Sequence, residues 1–135
     1  MDCIFCKIIA GEIPAYKVYE DDDVLAFLDI TPVNPGHTLV IPKQHYDHLL
    51  DLPEAEANKL ISVIKKITPA VLAGAGAEGF NLELNNGTVS GQVVNHVHWH
   101  IVPRHEGDGR ELWHGRNYGE GEAEGILAKI KSNLR

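Results

Sequence analysis

The chain has 135 residues, of which 44% are hydrophobic and 23% are charged, as in a typical globular domain with its own core. The formal net charge of −7 argues against general binding of duplex DNA, which requires a basic face. No apolar run reaches the roughly 20 residues that span a membrane, and residues 1–7 lack the segments of a signal peptide. We therefore expect a cytoplasmic protein that contacts neither nucleic acid nor membrane.

The first half of the chain predicts a short helix, three strands and a long helix. Apolar spacing over residues 3–10 favours a helical turn, which Gly11 and Pro14 end. The three strands are predicted over Tyr16–Glu20, Val24–Asp29 and His37–Pro42. Apolar residues then recur at three- and four-residue spacing over Pro53–Ala73, which predicts an amphipathic helix that ends at the glycines beyond it.

The second half predicts two more strands and a final helix. The strands cover Phe80–Asn85 and His96–Pro103, a mobile glycine-rich loop covers Gly107–Glu122, and a helix covers Ala123–Leu134. Five strands with helices between them predict an α+β fold with a mainly antiparallel sheet. Periodicity alone leaves the strand order open.

Three histidines alternate with apolar residues in the last predicted strand. Successive strand side chains point to opposite faces, so His96, His98 and His100 would share one face. Such a face could be solvated, could bind a metal, or could perform phosphoryl or nucleotidyl transfer. The third alternative gains from the preceding loop, residues 85–92, whose glycines let backbone N–H groups approach an anion. Because the ordinary pKa of histidine is near 6.5, one imidazole could be a neutral nucleophile while another is cationic and binds phosphate.

The two cysteines form one C-x-x-C motif near the start of the chain. Cys3 and Cys6 would supply half of a tetrahedral zinc site, and histidines are the plentiful donors for the other half. The alternatives are a pair of free thiols or an occasional disulfide. A thioredoxin-like redox motif is less favoured because no strand precedes Cys3.

The run His96-Val97-His98-Trp99-His100-Ile101-Val102 resembles the signature of the histidine triad (HIT) superfamily, in which three histidines alternate with apolar residues. Further blocks that resemble the family, in its order, are Ile4-Phe5, Glu12–Ala15, Ala26–Ile30, Pro35–Lys43 and Gly91-Gln92. The likeness is greatest to small bacterial and archaeal HIT proteins with an N-terminal C-x-x-C, near the nucleoside phosphoramidase and dinucleoside-polyphosphate hydrolase branches.

The resemblance implies a single HIT domain over residues 1–135, with a core over about 3–105 and a C-terminal loop and helix over 106–135. It implies an antiparallel sheet of about five strands, and a homodimer formed through the long helix and the edge strand. It also implies a hydrolase that releases nucleoside monophosphate from a purine nucleotide substrate of the AMP or GMP type, with no catalytic metal.

The resemblance assigns roles to four histidines. His98 would attack the α-phosphate and form a nucleotidyl-histidine, and His100 would hold the non-bridging phosphate oxygens. His96 would orient His98 through its backbone carbonyl, and His37 would support the triad.

The resemblance also implies a nucleotide-binding pocket. Its residues would be Ile4, Phe5, Ile8, Ile13, Phe27, Asp29, Ile30, Asn85, Gly91, Gln92 and Val93. Asp29 would accept hydrogen bonds from the ribose hydroxyls, although the same residue suits a turn cap before Thr31. Val93 departs from the family pattern, because many relatives carry a hydroxyl residue here. Only its backbone N–H could then contact the phosphate or the leaving group.

The C-x-x-C branch of the family implies the second half of the zinc site. The implied ligand set is Cys3, Cys6, His45 and His96, which is closed and hence structural.

Two rival functions remain open at the level of the sequence. In one, His98 and His100 hold a catalytic metal. In the other, the protein binds nucleotides, or serves as a scaffold, without turning them over. The leaving group is also open among an amine, a second nucleotide, sulfate and an aminoacyl group.

Overall fold

Five strands form one antiparallel sheet with helices on both faces, which confirms the predicted α+β fold. The computed structural model describes residues 2–135, so Met1, the first residue of the expected domain, lies outside the described residues. In chain order the elements are α1 (Ile4–Ile9), β1 (Lys17–Glu20), β2 (Val24–Leu28), β3 (Thr38–Pro42), α2 (Glu54–Ala75), β4 (Gly79–Leu84), β5 (Trp99–Arg104) and α3 (Glu122–Asn133). Among residues 2–135, no helix has the length and apolar character needed to cross a bilayer.

The strand order, which the sequence left open, is β1-β2-β3-β5-β4. Hairpins join β1 to β2 and β2 to β3, and every pair of neighbouring strands is antiparallel. The last strand, β5, enters between β3 and β4, so the histidine-bearing strand lies in the interior of the sheet and β4 forms an edge.

Helices α1 and α2 cover opposite faces of this sheet. One face packs residues such as Val24, Val40 and Ile101 against the apolar stripe of α2. The other face packs alternate residues, including Leu39 and Ile41, against the short helix α1. Because His100 pairs with Leu39 in the β3–β5 register, its side chain belongs to the α1 face.

The strand predicted over His96–Pro103 is shorter than expected, and β5 begins only at Trp99. Pro42 would lie opposite this missing segment, and proline has no N–H to donate to a ladder. The Pro42 carbonyl instead accepts a hydrogen bond from the imidazole of His96 (2.8 Å), and the Val97 N–H bonds to the Tyr46 carbonyl (2.7 Å). His96 and His98 therefore precede the ladder.

The C-terminal segment differs from expectation in two ways. Residues 108–110 of the loop predicted to be mobile are tied to the sheet by hydrogen bonds of Asp108 and Arg110, because a carboxylate and a guanidinium there find partners on β5 and on the loop before β3. Helix α3 forms as predicted, but none of its residues is buried, and its apolar residues Ile126, Leu127 and Ile130 are about half exposed.

Candidate active site

The imidazole of His98 has one nitrogen held by the protein and one free of it. Its Nδ1 lies 2.7 Å from the backbone carbonyl of His96, and because a carbonyl only accepts, Nδ1 carries the proton. Nε2 is then a lone pair. Within residues 2–135, every fully buried side-chain nitrogen or oxygen has a hydrogen-bond partner. Because His98 Nε2 has no such partner, this atom is not fully buried and is accessible to solvent. This is the tautomer that a nucleophile requires.

His37 and His100 are also oriented by the backbone, but here a backbone N–H donates to the imidazole. The Val33 N–H donates to His37 Nδ1 (3.1 Å), so the proton of a neutral His37 is on Nε2. His37 Nε2 lies 2.9 Å from His100 Nδ1 and donates to it. The proton of His100 is therefore on Nε2, where it can be donated to a ligand. A single backbone amide thus fixes two tautomers in series.

Burial favours the neutral form of all three imidazoles. Burial lowers the pKa of His37 and of His98 below the ordinary value of 6.5. Burial, with smaller contributions from the neighbouring imidazoles of His98 and His37, lowers the pKa of His100 to about 4. The expectation of a cationic phosphate-binding imidazole is therefore not met in the free protein. His100 offers a neutral N–H donor instead.

Asp29 caps a turn, as one of its two sequence interpretations required. Its Oδ1 accepts hydrogen bonds from the backbone N–H and the hydroxyl of Thr31 (2.9 and 3.1 Å). Its Oδ2 lies 3.7 Å from His37 Nε2. The carboxylate therefore lies beside the histidines with one oxygen only partly engaged, and contact with a ribose remains a prediction.

The aromatic rings of α1 and β2 form a wall against the histidines. Phe5 meets Phe27 edge to face with 5.5 Å between ring centroids, and its ring lies 5.1 Å from that of His98. Ile8 is buried in the same apolar cluster and Ile13 is packed against it. The other two apolar candidates are more open, because Ile4 is half exposed and Ile30 is 81% exposed on the loop after β2.

The glycine-containing loop before the histidines is braced from within. The amide of Gln92 accepts from the Gly87 N–H and donates to the carbonyls of Asp47 and Val94. The Gln92 and Gly91 backbone N–H groups bond to carbonyls of the same loop, and contact of these two residues with a nucleotide remains a prediction.

Two donors near this loop remain free for a ligand. The Val93 backbone N–H has no acceptor within residues 2–135, and its side chain is 91% exposed. The side-chain amide of Asn85 likewise has no hydrogen-bond partner within the described residues. Gly91 has a φ of 100°, and a Cβ at this position would lie 3.5 Å from Asn85 Nδ2. The left-handed backbone, rather than a lack of space beside Asn85, is therefore what favours glycine here.

The four predicted zinc ligands converge. The ligand atoms of Cys3, Cys6, His45 and His96 all lie within 4.8 Å of one another. Three sulfur–nitrogen distances, from Cys3 to His96 and from Cys6 to His45 and His96, are 3.4, 3.4 and 3.6 Å. A zinc tetrahedron with bonds of about 2.3 Å to sulfur and about 2.0 Å to nitrogen has sulfur–nitrogen edges of about 3.5 Å. The donor set therefore fits zinc.

Both histidines of this cluster are oriented by outer partners. The Nε2 of His96 donates to the Pro42 carbonyl, and the Nε2 of His45 lies 2.8 Å from Asp47 Oδ1. Each Nδ1 is consequently a lone pair that faces the two thiols. This is how zinc-bound histidines are held in place. The backbone carbonyl of His96 also accepts the hydrogen bond from His98 Nδ1–H. His96 therefore links the cluster to the candidate nucleophile.

A second group of possible ligand atoms belongs to Asp29, His37 and His100. The hydrogen bond from Val33 to His37 Nδ1 keeps a proton on His37 Nε2, which opposes metal binding by that nitrogen. Within residues 2–135, neither potential metal cluster includes His98. The geometry therefore favours hydrogen bonding over the catalytic metal of the first rival function.

Two groups near the site were not predicted from the sequence. Val33 acts through its backbone amide, which no residue pattern reveals. Glu83 lies opposite His100 in the β4–β5 register, and its charge favours the protonated form of His37. The alternation of β4 places Glu83 on one face, but only the strand order shows which histidine it faces.

The model of the HIT domain family matches residues 10–107. An uncharacterized HIT-like protein of Methanocaldococcus jannaschii is 58% identical over 113 residues, which are 84% of this chain and 87% of the relative. An adenosine 5′-monophosphoramidase of Schizosaccharomyces pombe is 44% identical over 104 residues, 77% of this chain and 75% of the relative. An adenylylsulfatase of Arabidopsis thaliana is 47% identical over 107 residues, 79% of this chain and 54% of the relative.

Solved structures agree over nearly the whole chain. A HIT family member from Bacillus subtilis has a TM-score of 0.89 at 40% identity, and the match covers 100% of this chain and 99% of that one. A Zn-bound histidine triad family protein from Mycobacterium smegmatis has a TM-score of 0.78 at 37% identity, with 99% of both chains covered. The sheet order and its helices are thus those of experimentally determined relatives.

Proposed function

This chain belongs to the HIT family, some members of which are nucleotide hydrolases, and on that premise we propose that it hydrolyses a nucleoside 5′-phosphoramidate or a dinucleoside polyphosphate at the α-phosphate. The observation that carries this proposal is the tautomer of His98. Its Nδ1–H is held by the His96 carbonyl, and its Nε2 lone pair faces solvent. An imidazole in this state is both a nucleophile and a fair leaving group.

The reaction takes two displacements. In the first, the Nε2 lone pair forms a P–N bond to the α-phosphorus. The bond to the leaving group breaks, and that group leaves with its electron pair and takes a proton from solvent. In the second, water attacks the same phosphorus, its proton passes to solvent, and the P–N bond breaks. The products are the nucleoside monophosphate and His98 with its lone pair restored.

Several hydrogen bonds stabilise charge along this path. The His98 ring becomes cationic when Nε2 bonds to phosphorus, so its 2.7 Å hydrogen bond to the His96 carbonyl becomes charge-assisted and stronger. The Nε2–H of His100 donates to a non-bridging oxygen of the phosphate, and the free N–H of Val93 and the amide of Asn85 supply further donors. Preorganised neutral donors of this kind stabilise developing charge on phosphoryl oxygens.

The nucleoside lies against the aromatic wall. Phe5 and Phe27 already form an edge-to-face pair beside His98, and a purine ring presents an apolar face that stacks on such a surface. Asp29 Oδ2 accepts from the ribose hydroxyls. The exposed side chain of Val93 offers the leaving group no hydrogen bond, so this position favours leaving groups that need none there.

Cys3, Cys6, His45 and His96 would hold a structural zinc ion. When bound, it joins the start of α1 to the segment that precedes β5, and a closed ligand set of this kind contributes stability rather than a reactive site. Burial and the neighbouring Cys3 raise the pKa of Cys6 to about 11, so a metal cation is what favours the thiolate. Reduced thiols are maintained in the cytoplasm, which is the location we propose.

The functional unit is a homodimer. Strand β4 lies at the edge of the sheet, and its side chains Phe80 and Leu82 are exposed on the α2 face. A long apolar edge strand without a partner is unfavourable in a soluble chain. A second copy that pairs along β4 and α2 removes this exposure.

The test is release of AMP from an adenosine 5′-phosphoramidate, from a diadenosine polyphosphate and from adenylyl sulfate. We expect the protein to cleave at least one of them, and the preferred substrate identifies the leaving group. A His98→Ala variant should release AMP at least about a hundredfold more slowly, because loss of the nucleophile removes the first displacement. The matched control is His48→Ala, which changes a partly exposed histidine outside the site. Equal loss in both variants would refute the role of His98.

Tight AMP binding by a wild-type protein that cleaves none of these substrates would favour the second rival, a nucleotide-binding protein without turnover. Calorimetry with AMP on the same samples separates the two outcomes.

A further inference from the structure

We propose that Asp108 is a positioning residue for the candidate catalytic histidines, and that it fixes the tautomers of His37 and His100 through the loop of residues 31–36. This inference rests on the proposed function for its kinetic readout only. Asp108 lies in the turn after β5. It does not belong to the histidine run, and none of the nucleotide-binding or metal-binding roles above is assigned to it.

The Asp108 carboxylate is the centre of a dense set of donors. It accepts five hydrogen bonds, two from the Arg104 guanidinium, one from Asn34 and one from each backbone N–H of His105 and Arg110. Its side chain is only 7% exposed. These donors hold the pKa of the Asp108 carboxyl well below its usual range and so favour its ionised form.

One path from this carboxylate to the histidines passes through Asn34. The buried Asn34 amide donates to Asp108 Oδ2 (3.0 Å) and to the Pro103 carbonyl (2.9 Å). The Asn34 carbonyl in turn accepts from the His37 backbone N–H (3.0 Å). Asp108 therefore holds the residue that closes the turn leading into His37.

A second path passes through Arg110. Its backbone N–H donates to Asp108 Oδ1, and its guanidinium donates to the Val33 carbonyl at 2.6 Å. Val33 is thereby held on both sides, with its carbonyl bound to Arg110 and its N–H bound to His37 Nδ1. The first path thus holds His37 and the second holds Val33, which are the two partners of the hydrogen bond that sets the tautomers.

Loosening of the Val33 amide has a defined chemical consequence. Without the Val33 N–H, His37 can carry its proton on Nδ1 and turn its Nε2 lone pair towards His100 Nδ1. His100 must then donate through Nδ1, and its Nε2 becomes a lone pair. A lone pair facing a phosphate oxygen repels it, so the donor that stabilises the transition state is lost.

The experiment compares Asp108→Asn and Arg110→Ala with Asp22→Asn, a matched loss of one charge at an exposed hairpin tip. Imidazole nitrogen chemical shifts report the tautomers of His37 and His100, and AMP release reports kcat and KM. In both test variants we expect a mixed population of His100 tautomers. We also expect kcat to fall about 10- to 100-fold, as for small misplacements of catalytic groups, with KM changed less than about threefold and the control unchanged.

Arg110→Ala leaves the Asp108 carboxylate in place and removes only the hold on Val33, so it decides the question if Asp108→Asn fails to fold. Unchanged tautomers in the folded variants would overturn the proposal, even if their thermal stability or kcat fell. If the wild type cleaved no substrate, the proposed function would fail, while the nitrogen shifts would still decide whether Asp108 sets the tautomers.

Discussion

Replacement of Phe5 by alanine tests how α1 supports the histidines. Phe5 is 7% exposed, and its ring contacts Phe27, His96 and His98 at centroid distances of 5.5, 5.9 and 5.1 Å. Removal of a buried phenylalanine costs about 3–5 kcal/mol, and each edge contact contributes about 0.5–1.5 kcal/mol beyond area. Because α1 is short and near the chain start, we expect the lower end, about 3 kcal/mol in the free energy of unfolding.

The assay is urea denaturation at a fixed, saturating zinc concentration, combined with thermal melting. At about 2.1 cal/mol/K of unfolding entropy per residue, a loss of 3 kcal/mol lowers Tm by about 10 °C. The matched control is Ile4→Ala on the same helix, where the side chain is 49% exposed, and we expect a loss below about 1 kcal/mol. An equal loss in the two variants would refute the docking of Phe5 against the histidines.

Three further predictions follow from the metal cluster, the buried imidazoles and the edge strand. Cys6→Ser should reduce zinc to well below one ion per chain by elemental analysis and lower Tm, whereas full zinc content in the variant would contradict the ligand set. His100 should titrate by NMR with a midpoint near its lowered pKa of about 4. Since the unfolded chain binds this proton near pH 6.5 and the folded chain does not, the free energy of unfolding should fall between pH 6.5 and 4. His100 lowers the free energy of unfolding by at most about 1.4 kcal/mol per pH unit. A titration midpoint at pH 6.5 would contradict the lowered pKa of His100. The wild type should sediment as a dimer and the double variant Phe80→Lys, Leu82→Lys as a monomer, and a monomeric wild type would contradict the interface.

The elements were predictable where the signal was local. The apolar and β-branched runs of the first three strands, bounded by turn residues, and the apolar stripe of α2 gave bounds within about three residues of those observed. The resemblance also indicated the four residues of the metal cluster, whose ligand atoms do lie together. In each case the signal is local or is contained in a spaced motif.

The remaining features depend on contacts between distant segments. The start of β5 is set by Pro42, which lies in another strand and cannot extend the ladder. The neutral state of His100 arises from burial among other imidazoles, which a reference pKa cannot include. The immobilised turn at Asp108 follows from donors on β5 and on the loop before β3. Pairwise contacts of this kind leave no periodic trace in the sequence.

Covalent nucleotidylation of His98 can be detected by rapid-quench mass spectrometry. The protein is mixed with excess adenosine 5′-phosphoramidate or diadenosine polyphosphate, quenched under alkaline conditions within the first turnover, digested and sequenced by tandem mass spectrometry. We expect a transient adenylyl group on the peptide that contains His98, absent from His98→Ala and retained in His48→Ala. AMP release at the wild-type rate with no adduct, or an adduct on another residue, would contradict this expectation.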